Sequence, residues 1–320
     1  MRALNTALAA LALLIPASAL AQSWPDRSIR LVVPFPAGGP TDIIARVVGQ
    51  AMTDALGQPV VIDNRGGAGG VTGTDQVARA APDGYTLALS SAGALSISPS
   101  LQRMPYNSTR DLAPITLVAK VPELLVVPAA STSRTLEDFI AAAKAKPGGF
   151  NYASTGPGGM PHLAAELLKA TARIDMVHVP YSGAQPAYQD LLGGRIDLFC
   201  DNSSTALPQV KGEKVKAFAV STAKRYGPTP DLPSVKETGV ADMDMDSWFG
   251  LFAPRATPQP VLDRLRAEMT KVRADPGLID IFSKSGGAIS TLTPAEAEVF
   301  ARAEAEHWGR LIREAGVTAE

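Results

Sequence analysis

Short apolar runs alternate along the chain with stretches whose apolar residues recur every three or four positions. The runs at 29–33, 60–62, 86–89, 124–127, 150–153, 176–179, 196–199 and 215–220 predict strands. Between the first two, the segment 42–56 sets Ile43, Ile44, Val47, Val48, Ala51 and Leu56 on one helical stripe, and Gly57 ends it as a helix cap. The segments 136–144, 161–170 and 184–192 repeat the pattern. Strand and helix in alternation predict an α/β protein with mostly parallel sheets. A chain of 320 residues is long for one core, so two domains are expected. No short-period repeat and no low-complexity tract is present.

The N-terminus departs from this alternation. Arg2 precedes an uncharged apolar stretch from Ala7 to Ile15, followed by the small-x-small triplet Ala19-Leu20-Ala21. This is the pattern of a secretory signal peptide, 1–21, cleaved after Ala21, and it is short for a membrane span. Gln22 follows the cut, so no cysteine stands there for lipid attachment. Export as a soluble protein is the expectation.

Without Arg2, 29 basic residues face 31 acidic ones, a net charge of −2. Such a balance offers no electrostatic reason to bind nucleic acid or anionic membrane, and aromatic residues, at 6%, are too sparse for base stacking. Cys200 is the only cysteine, which excludes an internal disulfide; within an apolar run it reads as a strand residue. His162, His178 and His307 lack metal-ligand spacing, so neither a metal nor another cofactor is expected.

Chemistry concentrates in two turns. The stretch VVPFPAGGPTD, 32–42, passes from a strand through Ala37-Gly38-Gly39 straight into a helix. A second copy of the arrangement runs from the strand 150–153 through Ser154, Thr155, Gly156, Pro157, Gly158 and Gly159 to a helix opened by Pro161. Proline suits the first helical turn, where an N–H has no internal acceptor. The free N–H groups and the dipole make a helix start attractive to anions, and small residues let an anion approach. Neither turn holds Lys or Arg, so neutral donors must act, with hydroxyls from Thr41, Ser154 and Thr155. Glycines also serve a tight turn alone; the duplication with flanking hydroxyls is what points to a ligand. Two such turns across a cleft would hold a molecule with two negative ends, with Phe35 and Tyr181 adding apolar contact. Asp42 stands in the first helical turn, either orienting that turn or touching a cationic ligand group. His162, likewise in a first turn, reads as a packing or bracing group or as a ligand contact.

Other loops follow strands and would gather at the same end of a parallel sheet: Ser90-Ser91-Ala92, Tyr181-Ser182-Gly183 and Asp201-Asn202-Ser203-Ser204. Asp201 is equally a helix cap or a ligand contact. The glycine-rich stretch 61–73 imitates a dinucleotide fingerprint, but from Gly67 the third required glycine or alanine is Thr72. A loop at the cleft mouth is the simpler expectation.

Taken together, VPFPAGG at 33–39, Asn64-Arg65 with GAGG at 67–70, APDGYTL at 81–87, TGPGG at 155–159 with His162-Leu163, HVPY at 178–181, DLLGG at 190–194 and SWFGLFAP at 247–254 carry a resemblance. From Trp24 almost to the C-terminus the chain resembles the substrate-binding proteins of tripartite tricarboxylate transporters, the Bug family. The resemblance implies a two-domain periplasmic-binding-protein (type II, Venus-flytrap) fold, each domain a mixed, mostly parallel sheet flanked by helices. It implies domain 1 at 22–121 plus 248–320 and domain 2 at 122–247, with the C-terminal helices 259–273 and 294–314 on domain 1. It further implies a monomer that captures a small organic acid, a dicarboxylate or an aromatic carboxylate, and delivers it to the membrane components of such a transporter or to a sensor. The family's gripping loops correspond to Ala37-Gly38-Gly39 and Ser154-Thr155-Gly156. Contacts from Ser90, Ser91, Ala92, Gly158, His162, Tyr181 and Asp201 fit the same picture. Gly66 departs from the proline usual in the family's Asn-Arg-Pro-Gly run.

An exported hydrolase is the alternative. Ser154 and His162 share a segment, but Gly-x-Ser-x-Gly is absent, since Ser154 lies between Ala153 and Thr155.

Overall fold

The computed structural model describes residues 24–284 and 286–318, and the expected signal peptide with its cut after Ala21 lies outside the described residues. The chain opens β1 (Ile29–Val33), α1 (Pro40–Leu56), β2 (Val60–Asn64), α2 (Val71–Ala78), β3 (Thr86–Ser91), a wide helical turn over Gly93–Ile97, and α3 (Ser98–Leu101). The long β4 (Leu112–Pro128) follows. Then come α4 (Leu136–Ala145), β5 (Asn151–Ser154), α5 (Met160–Ala172), β6 (Val177–Pro180), α6 (Ala184–Leu192), β7 (Leu198–Asn202), α7 (Ser203–Lys211) and β8 (Val215–Val220). The chain closes with β9 (Asp246–Pro254), α8 (Gln259–Arg273), α9 (Pro276–Lys284), β10 (Ala288–Ile289) and α10 (Pro294–Ala315).

The strands form two parallel groups joined through β4 and β9. In one group β1 runs parallel to β2 and β3. In the other β5 runs parallel to β6 and β7. The joining strands are antiparallel to their neighbours. Residues 112–122 of β4 lie beside β9, which also pairs with β3; from Glu123 onward β4 lies between β7 and β8. The change of partner falls at Pro122, which has no N–H for a ladder bond.

Sequence pattern and structure diverge on β4, β9, β10 and α9. Only 124–127 reads as a strand, yet β4 runs over 17 residues. Pro114 and Pro122 make its sequence look broken. Because β4 is buried on both faces over nearly its whole length, it lacks the alternation that marks a half-exposed strand.

The C-terminal helices bind the joining region. α8 packs on α1 and β4, while α10 lies against the 93–101 segment and β4 and also reaches α5. Glu304 of α10 accepts from the indole nitrogens of Trp248, 3.1 Å away on β9, and Trp308, 2.8 Å away. That bond satisfies the N–H of a fully buried Trp248, which would otherwise be costly.

Both groups of strands direct their connecting loops to one cleft, and the loops touch across it. Ser98 Oγ donates to the Gly158 carbonyl at 3.4 Å, and Gln185 Nε2 donates to the Gly38 carbonyl at 3.4 Å. The glycine-rich stretch sits at the mouth of the cleft, as expected. Gly69 has φ 62°, and a Cβ there would stand 2.5 Å from the Pro157 carbonyl oxygen. Gly57 has a similar φ of 69° but no atom within 4 Å of such a Cβ. Gly69→Ala is therefore expected to hold the halves apart, and Gly57→Ala only to cost about 1 kcal/mol of stability. Small-angle scattering checks this: Gly69→Ala shows the larger radius of gyration, Gly57→Ala the wild-type value. Equal radii for both would contradict a closure contact at Gly69.

Candidate functional site

Three of the helices that begin at the cleft start on glycine and contribute to one chamber. α1 starts at Gly39, α5 at Gly159 and α6 at Gly183, and none has a side-chain cap. By contrast α4 and α10 are capped by Thr135 and Thr293. Each of the three carries a proline in its first turn, Pro40, Pro161 or Pro186, which adds no donor. The N–H groups of Thr41 and Asp42, of Met160 and His162, and of Ala184 and Gln185 precede the first intrahelical bonds and have no acceptor within their own helix.

These starts surround a chamber of about 70 Å³. Phe35, Ala37, Gly39, Thr41 and Ser91 line it from one side, Thr155, Met160, Gly183 and Gln185 from the other. Glu123, Asp201, Asn202, Ser247 and Phe249 contribute from β4, β7 and β9. No Lys, Arg or His is among the lining residues. A wider groove of about 550 Å³ lies alongside, lined by 66–70, Gly156 and Tyr181, and it shares Phe35, Pro36, Thr155 and Ser182 with the chamber.

Of the residues singled out in the sequence, Phe35, Ala37, Gly39, Thr41, Ser91, Thr155 and Asp201 meet at the chamber. Gly156 and Tyr181 lie on the outer groove, where the Tyr181 hydroxyl donates to Asp190 at 2.6 Å. Others stand behind the turns. Gly38, at φ 80°, donates its N–H to Asp42 Oδ2 at 2.9 Å. Asp42 also accepts from Arg46 Nε and from Asn64 Nδ2. Burial opposes its charge, but these bonds outweigh it and hold the carboxyl below its ordinary range. Asp42 thus orients the first turn, and its carboxylate oxygens are engaged there. Ser90 is buried against Thr74, 2.9 Å away, and Ala92 is buried outside the lining. Gly158 offers its carbonyl to Ser98 and its N–H to His162 Nδ1 at 3.4 Å. His162, stacked on His178 at 4.4 Å, is buried, which with the neighbouring His178 lowers its pKa to about 4 and keeps it neutral. Ser154 Oγ lies 2.7 Å from His178 Nε2, but Ser154 is fully buried and outside the chamber lining.

Glu123 went unnoticed in the sequence, and Asn202 and Ser247 entered there only as members of longer stretches, with no site role of their own. Glu123 is a lone charge inside the run VPELLVV, and that anomaly was the available signal. Its side chain is fully buried. Ser247 Oγ donates to its Oε1 at 2.6 Å, tying β4 to β9 where β4 changes partners. Its Oε2 has no hydrogen-bond partner; the Asn202 amide lies beside it and favours the charged form, but not in bonding geometry. Burial, with Asp201 and Asp246 nearby, pushes Glu123 up to about 8 against the Ser247 bond. Burial likewise raises Asp201 to about 6, opposed by bonds from Thr205, Tyr188 and the Asn202 backbone.

Residues 44–317 match the family described as "Tripartite tricarboxylate transporter family receptor". The chain belongs to this family. The receptor is 36% identical to Protein BugT of Bordetella pertussis over 309 residues, 94% of this chain and 93% of BugT. The solved structure of periplasmic binding protein BugD shares 36% identity at TM-score 0.89, covering 93% of this chain and all of that one. A structure of MatC from Rhodopseudomonas palustris with bound malate shares 31% identity at TM-score 0.86, covering 90% of this chain and all of that one. The receptor is a solute-binding protein of the Bug type with the two-domain periplasmic-binding-protein fold, and its family is not one of enzymes. No helix among the described residues is long and apolar enough to cross a membrane.

The buried acids make the receptor's stability depend on pH. A carboxyl whose pKa rises on folding holds its proton in the folded chain where the unfolded chain has lost it, so stability falls as pH rises between the two values. For Glu123 that window runs from 4.5 to about 8, and for Asp201 and Asp246 from 3.8 to about 6. Above pH 6 only Glu123 among these three still contributes. The melting temperature of the unliganded protein is expected to fall from pH 6 to pH 8, and Glu123→Gln to flatten most of that decline. An equal slope in the variant would contradict the assignment.

Proposed function

We propose that the receptor captures a small organic acid in the chamber, with its carboxylate on the backbone N–H groups at the starts of α1 and α5. We assign domain 1 to 22–121 plus 248–320 and domain 2 to 122–247, with capture closing one on the other. The single observation behind this reading is the convergence of three glycine-started, uncapped helices on a chamber without a cationic side chain. An anion there gains helix-dipole attraction and hydrogen bonds that no side chain occupies. Four charge-assisted bonds at about 1.5–3 kcal/mol each give roughly 6–12 kcal/mol before association costs. Micromolar binding needs about 8 kcal/mol net.

Malate bound to MatC supports a carboxylate as the ligand class. The BugD likeness and the N-terminal leader pattern support action in the periplasm, cleaved after Ala21. Family membership supports delivery to the membrane components of a tripartite tricarboxylate transporter.

Thermal shift with a panel of mono- and dicarboxylates tests capture directly: at a concentration one hundred times Kd, a bound acid stabilises by about 2.7 kcal/mol. No shift with any acid would contradict it. Gly39→Leu separates capture from folding, because Gly39 has φ −85° and a Cβ there meets nothing closer than the Pro36 carbonyl at 3.5 Å. The variant is expected to keep the wild-type melting temperature and to lose about ten-fold or more in affinity. Unchanged affinity would remove the α1 start from the site.

A further inference from the structure

Arg273 is the only lysine or arginine buried among the described residues, with 9% of it exposed. It stands at the end of α8, where Nη1 donates to the carbonyls of Leu117 at 3.4 Å, Ser290 at 2.6 Å and Leu292 at 2.9 Å. These bonds tie β4 to the stretch after β10, and they occupy Nη1 alone. Nε is sealed without an acceptor, and Nη2 has no partner among the described residues but is not sealed. Burial alone displaces the Arg273 pKa, downward, with no acid near enough to oppose it. A buried cation without a counter-charge is costly. Arg273 lines a groove of about 620 Å³ between α8, α9 and β10, which shares no lining residue with the chamber. It is the only charged residue of that lining, set between the apolar Ala274, Ile279, Ala288 and Ile289 and beside the Ser283 and Thr291 hydroxyls. The apolar surface runs on past the groove. Gly287 also lines a niche with Ile43, Val47, Ile281 and Ser204, and Ile279 and Ile281 are each 46% exposed.

We infer that this groove is a docking site for a protein partner, which sets an acidic side chain on Arg273 from within an apolar segment. A carboxylate is the group this cation lacks, and a charge-assisted bond to Nη2 is stronger than a neutral one. A groove that continues as an apolar strip past Ile281 suits a chain segment; a small free acid would leave most of the strip uncovered. The strip also spans the two groups of strands. One end lies on α8, α9 and β10, and the other reaches α7, whose Ser203 Oγ donates to the Gly286 carbonyl at 2.5 Å. A partner lying along it therefore bears on both groups at once. The site is separate from the chamber, and its case does not depend on acid capture.

Amide NMR spectra of the receptor test this with two probes, the peptide acetyl-Ala-Leu-Glu-Leu-Ala-amide and its twin with Gln in place of Glu. The Glu peptide is expected to shift the amides of 270–274 and 287–291 saturably, and the Gln peptide to bind ten-fold or more weaker. Replacing Arg273 itself would also undo its three carbonyl bonds, so Thr291→Glu is the variant of choice. Thr291 is exposed and lines the groove, and a carboxylate there supplies the missing counter-charge from within. The melting temperature is expected to hold or rise and the affinity for the Glu peptide to fall ten-fold or more, while Thr291→Gln binds it as the wild type does. Equal binding of the two peptides, no shift at these amides with either, or unchanged binding by Thr291→Glu would overturn the inference. Hexanoate shifting the same amides at lower concentration than the Glu peptide would overturn it in favour of a site for free acids.

Discussion

A helix cannot satisfy the N–H groups of its own first turn. Most helices answer with a side chain, as Thr135 and Thr293 do here. At α1, α5 and α6 this chain uses glycine instead and turns the three unanswered ends toward one chamber. The rest of the structure keeps that arrangement in place. Asp42 holds the Gly38 N–H and Asn64, and so fixes the first turn without entering the chamber. Neutral His162 does the same for Gly158 in the second turn. Positive potential is supplied by dipoles and amides, which need no counter-charge and no long flexible side chain. That suits the proposed capture, in which one domain closes on the other.

The floor has the opposite character. Where β4 exchanges β9 for β7 and β8, Glu123 faces the chamber and is tied through Ser247 to the strand it has just left. The exchange sets acids below walls of backbone amides. It also places a titrating carboxyl at the position where the two groups of strands are joined.

The glycine turns were legible because their chemistry is local: strand, small residues, proline and helix follow within a dozen positions, twice. The strand–helix alternation gave the parallel groups in the same way. What escaped is long-range. β4 and β9 are buried on both faces, and prolines interrupt β4, so neither carries a period. Glu123 meets Ser247 across 124 positions, and its neighbour Asn202 arrives on a third strand. The third helix start, at Gly183, looked like an ordinary loop because its proline comes two residues inside the helix. Asp42 and His162 were visible as residues of the first turns, but only the fold shows that their polar atoms point back into those turns.

The most direct test of the central claim is a crystal structure with a captured acid. The account expects carboxylate oxygens about 2.7–3.2 Å from backbone nitrogens at the start of α1 or α5, among Gly39, Thr41, Asp42, Met160 and His162, with no lysine or arginine within bonding distance. A carboxylate held by a cationic side chain, or seated away from these helix starts, would contradict it.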